Sequence, residues 1–310
     1  MKIVVLAAGN SSERDVSIVS GTGICKALRA LGHKAVLADV YFGIRKTDVS
    51  AVFEGDYDAE EEAAYIRSRT PFLEEEMKRR RHFFGPQILE LCAAADMVFL
   101  ALHGMNGEDG RVQAALDLHG IPYTGTDYIS SALAMDKTRT KQLFLAHDIP
   151  TPKSVTAYRG CTTAEKILEE LHLPLIVKPQ CGGSSIGITI CHTREELENG
   201  LELAFALEEA AIVEVFVEGR ELTAAVLGDE VYPIVEITPR EGFYDYTNKY
   251  KPGMTIETCP ADIPAEKAEE IREIALRANR VLGIQAYVRY DFIMRNKTGK
   301  IYCCEANTLP

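Results

Sequence analysis

Residues 3–7, Ile-Val-Val-Leu-Ala, form an apolar run that breaks at Ala8-Gly9-Asn10-Ser11-Ser12 and gives way to apolar residues at helical spacing, Val16, Val19, Ile24 and Leu28, before Gly32. Strand, loop and helix in that order predict the start of an α/β layer. Two further strand-like runs, 35–40 and 97–102, are separated by helical, charge-rich sequence, the alternation of a parallel sheet. Between them Glu74-Glu75-Glu76 stand four residues ahead of Lys78-Arg79-Arg80, the favourable orientation for ion pairs on a solvated helix face.

At 310 residues, 46% hydrophobic, the chain has room for two or three domains of roughly 100–200 residues each. Acidic residues outnumber basic ones 46 to 34, a net charge of −12, so phosphate backbones and anionic lipid are repelled and neither nucleic acid nor a membrane is an expected partner. No apolar stretch approaches the roughly 20 residues that span a bilayer, and residues 1–9 lack a signal-peptide layout, which predicts a cytoplasmic protein. The eight cysteines show no C-x-x-C spacing and imply neither a zinc site nor a disulfide framework.

The character changes near residue 125. Helical sequence continues to about His147 and is broken at Ile149-Pro150-Thr151-Pro152. Strands are expected over 174–178, 186–191, 212–217, 221–227 and 230–237, and helices over 162–171 and 193–203. Pro264 opens a last helix, with Ile271, Ile274, Ala275, Ala278 and Val281 as its apolar stripe and Gly283 as its stop.

Segments 285–293 and 301–307 read as a hairpin around Asn296-Lys297-Thr298-Gly299. Because side chains alternate faces, Arg289 and Asp291 share one face of the first strand, Glu305 and Asn307 one face of the second. A register that pairs Asp291 with Glu305 also pairs Arg289 with Asn307. Two facing carboxylates repel unless a cation intervenes, which predicts either a divalent ion such as Mg²⁺ on these hard oxygen donors or a solvated, Arg-paired face.

The Gly/Ser-rich stretch 178–187, Lys-Pro-Gln-Cys-Gly-Gly-Ser-Ser-Ile-Gly, follows an apolar strand. It is either a loop whose N–H groups wrap phosphate oxygens or a plain hairpin turn, and it lacks the Gly-Lys-Ser/Thr of a P-loop. Taken singly, Lys137, Lys178 and Lys249 read as surface lysines.

Together with Gly9-Asn10-Ser11-Ser12-Glu13-Arg14-Asp15-Val16-Ser17, His103-Gly104-Met105-Asn106-Gly107-Glu108-Asp109-Gly110, Met135-Asp136-Lys137, Phe243-Tyr244-Asp245-Tyr246, Lys249-Tyr250, Arg289-Tyr290-Asp291 and Glu305-Ala306-Asn307-Thr308-Leu309-Pro310, these stretches resemble the D-alanine:D-alanine ligases of the ATP-grasp superfamily. The resemblance covers nearly the whole chain, in the family's motif order. It implies an α/β chain with a Rossmann-like substrate domain (1–125) followed by a two-part ATP-grasp fold of α+β subdomains, 126–211 and 212–310, that grip ATP.

The resemblance also assigns residues. Lys137, Lys178 and Lys249 match lysines that meet the ATP phosphates, beside Ser184 and Ser185 of the loop. Glu214, with the backbone of Phe216 and Val217, matches the adenine hinge, and Glu221 the ribose contact. Asp291, Glu305 and Asn307 match ligands of two Mg²⁺ ions, for which Mn²⁺ is a substitute. Arg289 matches the oxyanion stabiliser and Glu13 the residue that binds the ammonium of the first D-alanine. Ser184 and Tyr250 match partners that, with Glu13, tie a lid over the site. His103 matches a residue beside the first substrate, with loop packing as its alternative. The stretch 241–254 is the expected lid, excluding water from an acyl phosphate.

Tyrosine at position 250, where ester-forming relatives often carry histidine, implies D-alanine as second substrate; D-Ala-D-Ser or D-Ala-D-Lac ligation is the alternative, and a non-catalytic ATP-binding sensor the alternative of another class. A nicotinamide-dependent Rossmann enzyme is disfavoured because no G-x-G-x-x-G follows the first strand. The family likeness further implies a homodimer and a continuation past Pro310 with a Gly-Met-Thr stretch and a serine around the second substrate.

Overall fold

The computed structural model describes residues 1–45, 48–183, 186–240 and 254–310. Apart from the last two residues they form two compact units, Met1–Ile129 and Ser130–Thr308.

In the first unit β1 (Lys2–Ala7), β2 (Lys34–Asp39) and β3 (Met97–Leu100) make a parallel sheet in the order β2-β1-β3. Helix α1 (Arg14–Ala30) lies against it at Gly21, where a Cβ would come within 2.6 Å of the Ala7 Cβ and 2.9 Å of Leu37 Cδ1. That close approach buries Ile18 and Cys25 with Val5, Ala7 and Leu37. Ser17 fixes the first turn of α1 to two strand ends: its Oγ accepts from the Ala8 N–H (2.7 Å) and donates to the Ala101 carbonyl (2.6 Å). Buried Arg14 pairs with buried Asp39 at the end of β2 and donates to the Gly9 carbonyl (2.6 Å), which pins the loop after β1. Helices α2 (Ala59–Arg69), α3 (Leu73–Arg79), α4 (Ile88–Ala93) and α5 (Arg111–Leu118) complete the unit. Of the three ion pairs expected at four-residue spacing, Glu76–Arg80 is seen (3.8 Å), and Glu76 pairs in addition with Arg79 at three-residue spacing (2.7 Å).

The helical run expected to reach residue 147 is two helices, α6 (Tyr128–Met135) and α7 (Lys137–Ala146). They break at Asp136, whose backbone is extended and whose carboxylate caps α7 by accepting from the Arg139 N–H (3.0 Å). An antiparallel sheet of order β4-β7-β5-β6 follows, from β4 (Ser154–Tyr158), β5 (Leu175–Pro179), β6 (Thr189–Cys191) and β7 (Ala210–Val215). Leu175, Val177, Ala211 and Val213 send one face onto α8 (Ala164–Glu170) and α9 (Arg194–Leu207). Alternation sends Lys178, Ile212 and Glu214 to the other.

The second sheet of this unit runs β11-β10-β8-β12-β13, with β9 paired to β8. Its strands are β8 (Gly219–Leu227), β9 (Glu230–Val231), β10 (Val235–Pro239), β11 (Thr255–Thr258), β12 (Tyr287–Arg295) and β13 (Ile301–Asn307). Helix α10 (Ala265–Leu282) seals one face, Ile271, Ile274, Ala275 and Ala278 packing with Leu222, Ala224, Tyr290, Phe292 and Cys303.

Several expected boundaries move. The division at 211/212 would cut β7, which pairs along its length with β4 and β5 and so lies wholly in the first sheet. The strand expected over 212–217 begins two residues earlier and ends at Val215, and that over 230–237 resolves into β9 and β10. Strands β4 and β11 were not expected: both are edge strands in which apolar alternation is weak and pairing with one neighbour defines the conformation. Among the described residues no helix is long and apolar enough to cross a membrane.

Candidate active site

The hairpin has the expected register: Arg289 faces Asn307 and Asp291 faces Glu305, after which the ladder shifts so that Phe292 faces Cys303. The shift leaves Cys304 as the extra residue of a bulge. Asp291 is held from three sides. Arg289 Nε donates to Oδ1 (3.0 Å) and Nη2 to Oδ2 (3.2 Å), Thr223 Oγ1 donates to Oδ1 (2.9 Å), and Asn307 Nδ2 donates to Oδ2 (3.0 Å). Among the described residues no group of three His, Cys, Asp or Glu is placed to hold a metal ion. Two carboxylates and an amide on one hairpin face form a sparser, all-oxygen set, which fits Mg²⁺, an ion that fills its remaining positions with water and substrate phosphate.

On the face of the β4-β7-β5-β6 sheet turned away from α8 and α9, Glu214 lies between two lysines. Its Oε1 pairs with Lys141 Nζ and its Oε2 with Lys178 Nζ, each at 3.2 Å. Lys141 also donates to Thr151 Oγ1 (2.7 Å). Side-chain exposure is 2% for Glu214, 3% for Lys141 and 13% for Lys178, so the cluster opens at the Lys178 end. Burial by itself would lower the Lys178 pKa, but Glu214, and after it Cys304 and Glu305, hold it above the ordinary lysine value. Glu305 of the hairpin and Lys178 of the β4-β7-β5-β6 sheet belong to the same unit.

Lys137, at the start of α7, donates from Nζ to the Gly182 carbonyl (2.5 Å) and from its N–H to the Gln180 carbonyl (3.1 Å). Gln180 Nε2 donates to Asp136 Oδ2 (2.8 Å), and the Cys181 N–H to Glu208 Oε2 (2.8 Å). The base of the glycine-rich loop is therefore stapled to a helix start. The Phe216 N–H donates to the Pro174 carbonyl (3.0 Å), Val217 is buried, and Glu221 on β8 faces Ile237 and Ile293. Ser184, Ser185, Lys249, Tyr250 and the expected lid up to residue 253 lie outside the described residues.

In the first unit the two motif loops meet. Ser11 Oγ accepts from the Glu13 N–H (3.2 Å) and donates to the His103 carbonyl (2.7 Å), and His103 Nε2 lies 3.1 Å from Ser20 Oγ. Asn106 Nδ2 donates to Asn10 Oδ1 (3.0 Å). Glu13 is buried, and its carboxylate is so close to Gly104 that a Cβ there would stand 2.5 Å from Oε2. Gly104 has φ +71°, so a side chain here is strained by conformation, and its Cβ would push the Glu13 carboxylate aside.

The family model for the N-terminus of D-ala D-ala ligase matches residues 2–126, and that for the C-terminus matches residues 144–310. The chain belongs to the D-alanine–D-alanine ligase family. A D-alanine–D-alanine ligase of Lacticaseibacillus casei is 38% identical, with 100% of this chain and 87% of the relative covered. One from Desulfotalea psychrophila is 44% identical over 73% of this chain and 72% of the relative. Among solved structures, the D-alanine–D-alanine ligase from Bacillus anthracis complexed with ATP superposes with a TM-score of 0.74 at 28% identity, covering 100% of this chain and 86% of that one. The VanG D-Ala:D-Ser ligase from Enterococcus faecalis does so at 0.73 and 30%, covering 100% and 90%.

In this ligase-family chain the structure adds residues that the motifs did not single out. Lys141 and Thr151 complete the Glu214 cluster, and Thr223 steadies Asp291. Lys141 stands one helical turn after Lys137, a spacing that places both on one side of α7; that was its only sequence signal.

Proposed function

We propose that this ligase-family protein joins two D-alanine molecules to D-alanyl-D-alanine with ATP, for peptidoglycan precursor synthesis, as a cytoplasmic homodimer. The observation that carries the chemistry is the hairpin face of Arg289, Asp291, Glu305 and Asn307, an arrangement suited to a metal-bound polyphosphate. Lys137 and Lys178, with Lys249, Ser184 and Ser185, neutralise and cradle the phosphates. Glu214 and the backbone at Phe216 and Val217 meet the adenine, since a carboxylate has about four lone-pair positions and the two lysines leave room for an amine donor; Glu221 meets the ribose. Residues 126–217 and 218–310 then act as the two gripping halves.

In the first step a carboxylate oxygen of one D-alanine attacks the γ-phosphorus and ADP leaves, which turns a poor electrophile into an acyl phosphate. In the second, the neutral amine of the other D-alanine attacks the acyl carbon, and the tetrahedral intermediate expels phosphate and loses a proton. The protein's part is positioning and charge stabilisation. Asp291, Glu305 and Asn307 would hold Mg²⁺, which would supply charge neutralisation at the phosphates. Arg289 faces the developing oxyanion, Glu13 orients the first ammonium with His103 beside it, and Tyr250 with Ser184 closes the lid.

Phosphate release and dipeptide formation from ATP, Mg²⁺ and D-alanine test the reading on the full-length protein. D-alanine-dependent release is expected, and its absence refutes the proposal. Release only with D-serine or D-lactate as second substrate selects those ligases, and ATP binding without release under any of them selects a sensor.

A second expectation concerns Gly104→Ala. The added Cβ must displace the Glu13 carboxylate, so the KM for D-alanine should rise by about tenfold or more while ATP binding stays unchanged. The left-handed backbone adds roughly 1–2 kcal/mol of destabilisation. An unchanged KM in the folded variant would detach Glu13 from the first substrate.

A further inference from the structure

We propose that Lys141 is a positioning residue for ATP: by taking one oxygen of Glu214 it keeps that carboxylate from neutralising Lys178, so that the buried cluster presents one net positive charge to the polyphosphate. This rests on the ATP-dependent reading above.

Glu214 has one negative charge and two ammonium partners, each on a different oxygen at the same distance of 3.2 Å. The cluster of two cations and one anion is therefore positive by one unit, within side chains that are 2%, 3% and 13% exposed. A buried excess charge is costly unless something compensates it. Thr151 gives Lys141 a second acceptor, but a hydroxyl is neutral and offsets no charge.

The cluster is most open at Lys178; Glu305, the other carboxylate that acts on this lysine, is engaged by Mg²⁺ in the reading above and so does not cancel the excess charge when nucleotide binds. An anion reaching Lys178 there would restore neutrality. Without Lys141, Lys178 and Glu214 would be an internally neutral pair, and Lys178 would be drawn onto both carboxylate oxygens. The Lys141 ammonium is engaged by Glu214 and Thr151, so its effect on the phosphates passes through Glu214 and Lys178.

Equilibrium binding of ATP, ADP and AMP, without D-alanine, separates this from a role in folding. In Lys141→Met the affinity for ATP should fall roughly ten- to a hundredfold, with a smaller loss for ADP and the smallest for AMP. Lys141→Arg, which keeps the charge, should restore most of it. A loss equal across the three nucleotides would mean that Lys141 only shapes the pocket, and no loss in a folded variant would mean that it does neither; both overturn the proposal. Lys141→Gln, which keeps hydrogen-bonding capacity without charge, carries the same expectation if the methionine variant is unstable. If neither neutral variant folds while Lys141→Arg does, the lysine serves stability alone and the proposal falls. Wild-type protein that binds no ATP would instead refute the proposed function.

Discussion

Arg289→Met should lower turnover roughly 10²- to 10³-fold, the usual cost of one donor aimed at a developing oxyanion. The arginine is built to be still. It stands two residues before Asp291 on the same strand face, and two of its donors grip that carboxylate at 3.0 and 3.2 Å. Asp291 is in turn fixed by Thr223 and Asn307, so the guanidinium pays little ordering entropy when charge develops nearby. The substitution also releases Asp291, which faces Glu305, and could alter metal affinity. The two causes separate in a Mg²⁺ titration: turnover that stays low at saturating Mg²⁺ with ATP affinity retained assigns the loss to the oxyanion, and turnover restored by Mg²⁺ assigns it to the metal site. Unchanged turnover would remove Arg289 from the chemistry. Arg289→Lys should recover only part of the rate, because an ammonium lacks the planar fork that matches Asp291.

Glu214→Gln should destabilise the protein by about 3–5 kcal/mol, the range for breaking a buried ion pair by removing one partner. The change is nearly isosteric, so packing stays and the electrostatics alone are tested. Lys141 and Lys178 would be left as two buried ammonium groups across a neutral amide. Burial raises the Glu214 pKa, but Lys141 and then Lys178 outweigh it and hold the carboxyl below its ordinary value of 4.5. The folded-state pKa is therefore the lower one. Stability from this group is fully present above the unfolded value and is lost as pH falls from about 4.5 toward the folded value. Chemical denaturation at neutral pH should show the full difference between wild type and variant, and the difference should shrink on acidification below that point. Equal stability at neutral pH would show that the lysines find other partners or lose their protons.

The hairpin was readable in the sequence because period-two alternation and a turn-like tetrapeptide are local facts, whereas the facing of Asp291 with Glu305 depends on the bulge at Cys304, without which the register set at the turn would place Cys304 opposite Asp291. The first strand, loop and helix were readable for the same reason. Edge strands β4 and β11 were not, since their conformation comes from a neighbour's ladder rather than from their own pattern. The 211/212 division failed similarly: Ala210 and Ala211 carry no strand signal of their own and belong to β7 through pairing with β4 and β5.

The ion-pair cluster marks the limit more sharply. Lys178 and Glu214 are 36 residues apart, and Lys141 is on a different element from either. By itself the amino-acid sequence determined the family, the α/β class, the catalytic hairpin's two strands and the residue types available to a phosphate and metal site, because motif order and alternation are written along the chain. Only the tertiary structure decided that Glu214 lies between two lysines, that Gly104 makes room for the Glu13 carboxylate, and that the buried cluster is most open at Lys178. Charge pairing and desolvation depend on distance through space and on burial, and neither is a property of position in the chain.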